Sequence, residues 1–568
     1  MILLVAWYAW PTLQAGGLIG APQTDIIRAV WGLDHAWESA PNLSFWTGRM
    51  AFPVGVKIVI LPQFSATVGS PLVGLWGAVG GFNAWILVLW AMAGFGSAFL
   101  AWTLTDSAAA ALLAGTVLLI QPMLFLAISD GTSEFVAWWA VPAALGALYV
   151  AGRVPAGEFR TQFVWWFASG ALLGIVALDS PYHAVFCLPF LPLVVRWKRW
   201  RRMGPLLLAL IAMGVFLSVL YYGLPLSAPN DNAAENAVSL LVWQKWETGD
   251  MPREWDYTLG TGFIPALVVL ALVGCALLRR DKSLPWLGIG ALALLWSLNE
   301  NGDNPQFLRS WFGNTGLHVS DAIVWFNSHL TPPIIRFPRR WLIPASQALA
   351  VAAAIGLTGL PKEWMRWAVA APLCLFMVVD TESLTRFRAN MPHFEPPTPA
   401  FATYIAESAE KGAVLYLPRV RAAAHATTRT ELPVFAEISR DIASADQLWL
   451  QVLCRRPSTY WPDGLRTVVR RKSYEPEIAR LLHGLDDASN PQTIGTAMPP
   501  SSTEEPDRRQ RIAGQLVSTG LSFVAIDEKV YADEGLALVR QTFAPETVEE
   551  RHFDDGTGVT VLRLQPAP

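Results

Sequence analysis

The chain of 568 residues is short of cysteine, of net charge and of any basic excess, and each shortage excludes something. Its four cysteines, Cys187, Cys275, Cys374 and Cys454, include no pair with metal-ligand spacing, and the first three fall inside apolar runs. Neither a zinc centre nor a disulfide framework is expected from them. A formal net charge of −3 lacks the basic face that nucleic acid requires. Only 15% of residues are charged while 53% are hydrophobic, and the mean hydropathy of +0.35 is too apolar for a soluble enzyme of this length. The amino terminus has neither a basic n-region nor an A-x-A site. Met1 to about Ile19 therefore reads as an uncleaved first span, short and interrupted by Pro11, with a true start that can lie upstream.

What is abundant is apolar length and tryptophan. The 27 Trp suit the aromatic belts of a multi-span protein, because an indole ring is at home at headgroup depth. About eleven runs have the length a bilayer asks for, near 2–19, 83–104, 108–128, 134–152, 162–178, 183–196, 205–223, 262–279, 284–299, 341–360 and 366–380. With the amino terminus inside, the inner loops hold Arg153, Arg160, the stretch Arg196-Trp-Lys198-Arg199-Trp-Arg201-Arg202, Arg279, Arg280, Lys282 and Lys362. The short outer loops at 129–133 and 179–182 contain no Lys or Arg, as the positive-inside rule requires. Acidic residues have little influence on orientation, so carboxylates gathered outside (Asp25, Asp34, Glu38, Asp130, Glu134, Asp179) suggest chemistry there.

Three outer segments are long, at about 20–81, 224–261 and 300–340. In the first, the run after Thr24 reads as an amphipathic helix with Ile27, Val30, Trp31 and Trp37 on one side and Thr24 as N-cap. Such a helix is expected to lie in the interface plane, with Asp34 and His35 solvated. Beyond residue 383 the composition changes. A linker at 384–400 leads to a domain at 401–568 with strands expected at 413–418, 522–527 and 559–564. Helices are expected at 475–485 and 508–518, a hairpin turn at Asp554-Asp-Gly-Thr-Gly, and a loop at 487–507. The expected architecture is a multi-pass α-helical membrane domain, 1–383, followed by an extracytoplasmic soluble α/β domain.

Asp25 follows the first span and reads two ways, as a general base at the membrane surface or as a carboxylate stabilised by the dipole of a first helical turn. Asp130-Gly-Thr-Ser-Glu134 puts two carboxylates in a loop of about five residues; buried, they must meet an Arg, a metal or a substrate. Asp179-Ser-Pro-Tyr182-His183 is a third outer turn, where Asp179 can also serve only to end a helix. Arg336-Phe-Pro-Arg339-Arg340 places three guanidinium groups outside, against the positive-inside tendency. They suit either bidentate phosphate recognition or contact with headgroups and loop acids.

Taken together, these residues resemble the GT-C superfamily of multi-span glycosyltransferases, which includes protein O-mannosyltransferases and bacterial arabinosyltransferases. The shared layout is a long first outer loop with an early acid and an interfacial helix, an acidic second loop and an extracytoplasmic tail. The resemblance covers roughly 1–380 and is strongest with bacterial members whose late span opens on a stretch such as Ile335-Arg-Phe-Pro-Arg-Arg-Trp-Leu-Ile-Pro. It implies transfer of a hexosyl or pentosyl group from a polyprenyl-phosphate donor to an acceptor hydroxyl on the outer face of the cytoplasmic membrane. Asp25 would be catalytic, Asp130, Glu134, Asp179 and His183 would orient substrate or metal, and Arg336, Arg339 and Arg340 would hold the donor phosphate. The first loop has no paired Asp-Asp or Asp-Glu motif, so no cofactor is certain; a divalent Mg or Mn is the one the layout admits. Expected partners are the lipid-linked sugar, membrane lipids and a glycan, lipid or protein acceptor, and no nucleic acid. Two rivals stand beside this reading. A lipid-linked-sugar flippase would need ionisable residues at mid-depth and often repeats, which the runs lack. A non-catalytic envelope scaffold would need neither.

Overall fold

Apolar runs separated by polar turns fold into helices in this computed structural model, which describes residues 1–21, 26–39, 46–47, 49, 52, 56–58, 62–155, 158–195, 206–207, 210–211, 214, 266–297, 338–385, 387–417, 445–459, 468–469, 476–488, 504–529, 531 and 533–565. Among the described residues, four helices are long and apolar enough to cross a membrane: Pro71–Thr105, Ser133–Ala151, Arg160–Asp179 and Glu363–Ser383. A fifth crossing results if the bent pair Ala108–Leu119 and Pro122–Asp130 is one span. The expected span at 205–223 lies almost wholly outside the described residues. Each other expected span overlaps a helix, several of them shorter than a crossing needs, such as Tyr182–Val194, Val268–Leu277 and Leu342–Leu357.

Proline explains where the spans depart from expectation. The run at 108–128 was expected to be continuous, but it bends by 45° at Gln121-Pro122. Proline cannot supply the amide an ongoing helix needs. Gln121 turns extended instead, and its side chain accepts from Leu124 N at 3.0 Å to cap the new helix. Pro189 and Pro192 likewise divide the next run into Pro181–Cys187, a 3₁₀ turn at Leu188–Phe190, and Leu191–Val194.

Two compact units emerge, Met1–Gly20 with Leu61–Leu72 and Gly80–His393, and Ala21–Ile60 with Val73–Val79 and Phe394–Pro568. In the first, Leu342–Leu357 is buried along its whole length and packs against Ala108–Leu119, Ala266–Leu277 and Arg280–Ser297. Its small residues permit that closeness: a Cβ on Gly356 would stand 2.0 Å from the Cys275 carbonyl oxygen. Turns expected on one side of the membrane meet one another. Glu363 accepts from Ser107 Oγ at 2.9 Å and Ala109 N at 3.1 Å, capping Ala108–Leu119 from a different helix. Arg279 Nη1 donates to Thr358 Oγ1 at 2.6 Å.

The second unit carries a four-stranded sheet in the order Ala413–Leu417, Leu521–Asp527, Val559–Leu564, Thr547–Phe553. The first pair is parallel and the other two antiparallel. Helices Ala400–Glu407, Ala445–Cys454, Pro476–Asp487, Glu504–Ser518 and Asp533–Phe543 complete an α/β arrangement. The hairpin turn falls at Asp554–Gly558 as the sequence predicts, with positive φ at Gly556 and Gly558. The expected loop at 487–507 lies mostly outside the described residues.

Residues 21–60 group with the tail. The amphipathic helix is Ile26–Ser39, but the expectation of a solvated polar face is corrected: Asp34 and His35 are 0% and 4% exposed. Their helix packs on Ala445–Cys454, which covers the face that was expected to meet water.

Candidate active site

Within the first unit, two short turns and a 3₁₀ segment converge. The helix Pro122–Asp130 ends at Gly131 in the left-handed conformation, φ 73°, and the chain restarts as Ser133–Val136. Phe159–Asp179 stops at extended Ser180, and Pro181 opens the next helix. Pro338–Trp341 precedes the buried helix Leu342–Leu357. The Arg340 guanidinium lies 4.2 Å from the ring centre of Phe135 and 4.5 Å from that of Tyr182, and the residue is only 9% exposed. Ring faces attract a cation through their quadrupole, so this placement is itself favourable by about 0.5–2 kcal/mol.

His183 completes the same enclosure. Its ring meets Phe135 at 5.8 Å and 74° and Trp138 at 5.0 Å and 89°. Trp138 is held from behind, donating to Gln347 Oε1 at 3.3 Å, and Gln347 donates in turn to Ser97 Oγ at 3.0 Å. On the other side Trp341 packs at 4.5 Å from Phe186.

The predicted site residues fare differently. Arg340, His183 and the turn carrying Asp130 and Glu134 are brought together, because Phe135 directly follows Glu134. Asp130 Oδ1 accepts from the backbone and hydroxyl of Thr132, closing its own turn. Glu134 is half-buried in the first turn of its short helix. Asp179 spends both oxygens within the chain, accepting from Ser65 N at 2.8 Å and Ser65 Oγ at 2.6 Å, and so caps the start of Gln63–Gly69. Asp25 and Arg336 lie outside the described residues, as does the side chain of Arg339. Ser65, Phe135, Trp138, Tyr182 and Gln347 were not singled out from sequence. Tyr182 stands inside a motif that was and Phe135 directly follows one, whereas nothing marks Ser65.

No group of three or more His, Cys, Asp or Glu suited to a metal occurs among the described residues. Asp130 accepts from Thr132 and Asp179 from Ser65, so both carboxylates are oriented by hydrogen bonds within the chain.

The second unit has a buried polar cluster of another kind. Arg49 Nη1 lies 3.1 Å from Asp34 Oδ2 and 2.7 Å from Glu38 Oε2, while its Nη2 donates to the Gln451 carbonyl at 2.7 Å. Arg455 approaches the same acids at 3.8 and 3.9 Å. Trp31 donates to Gln451 Oε1 at 2.9 Å and stacks on His35 with ring centres 5.0 Å apart. Burial, assisted by the Arg49 charge, pushes the His35 imidazole down to about 4. Burial raises the Glu38 carboxyl, with Arg49 opposing.

No family model matches the chain, and no curated protein matches it. Solved structures align along most of it. The oligosaccharyltransferase of Archaeoglobus fulgidus, in complex with Zn and sulfate, is 12% identical, covering 95% of this chain and 69% of its own, with a TM-score of 0.40. Arabinofuranosyltransferase AftD from Mycobacteria, in its mutant R1389S class 1 form, is 14% identical at a TM-score of 0.48; the alignment covers 97% of this chain but 40% of AftD. ArnT from Cupriavidus metallidurans in the apo state is 15% identical at 0.41, covering 99% of this chain and 96% of its own. At these identities and scores the likeness supports no statement about activity.

Proposed function

We propose that the chain is a membrane glycosyltransferase of GT-C type that moves a sugar from a polyprenyl-phosphate donor to an acceptor hydroxyl on the outer face of the cytoplasmic membrane. The observation that supports this reading is Arg340: a buried guanidinium stacked on Phe135 and Tyr182, in the first unit, beside turns that carry Asp130, Glu134 and His183. A planar cation so fixed suits a phosphate diester, whose two oxygens match the guanidinium fork.

In the proposed reaction the acceptor oxygen bonds to the anomeric carbon as the bond from that carbon to the phosphate oxygen breaks. The bonding pair leaves with the phosphate, and Arg340, aided by Arg336 and Arg339, stabilises the charge it gains. Asp25 takes the acceptor proton. Glu134 would orient the acceptor, Asp130 keeps its turn closed, and Asp179 fixes the start of Gln63–Gly69. No step needs a metal. The outer-face placement is supported by the basic loops expected inside and by the eleven spans expected from sequence.

The test is turnover against polyprenyl-phosphate-sugar concentration in nanodiscs. Arg340→Lys keeps the charge but loses the planar fork, and should cost about 1.5–3 kcal/mol in donor use, roughly 10- to 150-fold, with insertion unchanged. Asp25→Asn should lower the rate by about 10²–10⁴. If Arg340→Lys matches wild type while Arg340→Ala fails to insert, Arg340 is an anchor of the fold and the phosphate reading is lost.

A further inference from the structure

Two polar side chains of the turn that carries Tyr182 are sealed from water without a hydrogen-bond partner among the described residues. They are Ser180, through Oγ, and His183, through both Nδ1 and Nε2, and each residue is 0% exposed. They lie three residues apart at the start of one helix, which sets them on the same side of it. Buried polar groups are normally paired, and one left unpaired costs stability that an apolar residue of the same shape would not. Packing does not need them. Phenylalanine would fill the space of His183 between Phe135 and Trp138, and alanine would serve for Ser180. Their position does distinguish them: His183 shares the Phe135 ring with Arg340, and Tyr182, the neighbour of His183 in sequence, supplies the other face of the guanidinium. Tyr182 is itself partly exposed, so the enclosure meets the surface at this residue.

We infer that Ser180 and His183 are the sugar-recognising half of the donor site, hydrogen-bonding hydroxyls of the glycosyl group while Arg340 holds the adjoining phosphate. This rests on the function proposed above and adds residue roles to it. A polyhydroxylated ring offers donors and acceptors together. A neutral imidazole, with one of each, and a serine hydroxyl, which is both, answer that chemistry, whereas a bare phosphate would use only donors. The unsatisfied groups of the closed state then find partners only when the glycosylated lipid is bound.

The experiment compares thermal stabilisation of the full-length protein, in detergent, by undecaprenyl phosphate and by undecaprenyl-phosphate-linked mannose and arabinose. The variants are His183→Phe, Ser180→Ala and Arg340→Lys. Without lipid, His183→Phe should melt at or above the wild-type temperature. It should respond normally to undecaprenyl phosphate but bind the glycosylated lipid at least tenfold more weakly. Ser180→Ala should show the same selective loss to a smaller degree, and it decides the matter if the phenylalanine variant does not fold. Arg340→Lys should weaken the response to all three lipids. If both site variants bind the glycosylated lipid as wild type does, the two groups serve packing or an internal water; the inference is overturned and the function stands. A wild-type chain that responds to none of the three lipids overturns both.

Discussion

Two clusters of buried polar residues, one in each unit, face the same physical problem and resolve it differently. In the second unit two acids, Asp34 and Glu38, meet two bases, Arg49 and Arg455, and a carbonyl and a glutamine take up further donors. Formal charge balances and the helix Ile26–Ser39 is fastened to Ala445–Cys454. In the first unit Arg340 is met by ring faces, and His183 and Ser180 have no hydrogen-bond partner among the described residues. Charges that neutralise each other hold a fold together. Asp34 Oδ1 and Arg49 Nε also lack a hydrogen bond among the described residues, so it is the pairing of opposite charges that sets the second cluster apart. Counting carboxylates would not have separated the clusters, since Asp130 and Glu134 in one match Asp34 and Glu38 in the other.

The comparison breaks most directly at Arg49. Arg49→Met keeps much of the side chain's bulk but leaves Asp34, 0% exposed, with only the 3.8 Å approach of Arg455 as a cation among the described residues. Removing one partner of a buried pair commonly costs about 3–5 kcal/mol. The expected result is loss of hydrogen-exchange protection along 26–39 and 445–454, with lipid-induced stabilisation by undecaprenyl phosphate retained. A variant that keeps its protection and loses the lipid response would exchange the roles of the two clusters.

Sequence reading went furthest where one residue type dictates one outcome. Strands at 413–417, 521–527 and 559–564 are short apolar runs bounded by turn residues, and each lies where expected. The missing sheet member, Thr547–Phe553, was hidden because it is an edge strand whose mostly exposed residues include Glu549, Glu550 and Arg551. Arg340 drew notice because three arginines expected outside would contravene a topological tendency. The error over Asp34 and His35 has a definite cause. A helical wheel shows which face is polar, but not that Arg49 and Gln451, the latter 417 positions after Asp34, would cover it. The capping of Gln63–Gly69 by Asp179 was invisible for the same reason, since Ser65 lies 114 positions away.

That cap offers a second test, inside the first unit. Ser65→Ala removes the 2.6 Å bond to Asp179 Oδ2 and the weaker 3.3 Å bond donated by Trp139, while the backbone bond to Asp179 survives. A hydrogen bond to a charged group is worth about 1.5–3 kcal/mol, so the melting temperature should fall clearly. His183→Phe, a few residues from Asp179, should not lower it. Equal destabilisation by the two substitutions would erase the distinction between a partnered and an unpartnered polar group.

The smallest effect is one of pH, and it arises in the second unit from opposed slopes. His35 is held neutral, its pKa pushed down to about 4 by burial and by Arg49. An unfolded histidine takes up its proton near 6.5, so as pH falls from there towards 4 the unfolded state binds more protons and stability is lost. Glu38 has a raised carboxyl pKa, chiefly from burial and secondarily from Asp34, against the pull of Arg49 and Arg455. It binds its proton more readily when folded, which adds stability as pH falls through the same region. The histidine alone would remove roughly 2 kcal/mol by pH 5, and the glutamate returns part of it. Hydrogen exchange of 26–39, corrected for intrinsic rate, should therefore show protection declining from pH 6.5 to 5. In His35→Gln the decline should vanish or reverse, because only the glutamate slope remains. Equal declines in both proteins would show that His35 does not titrate against folding, and that the cluster holds its helix without regard to the imidazole it buries.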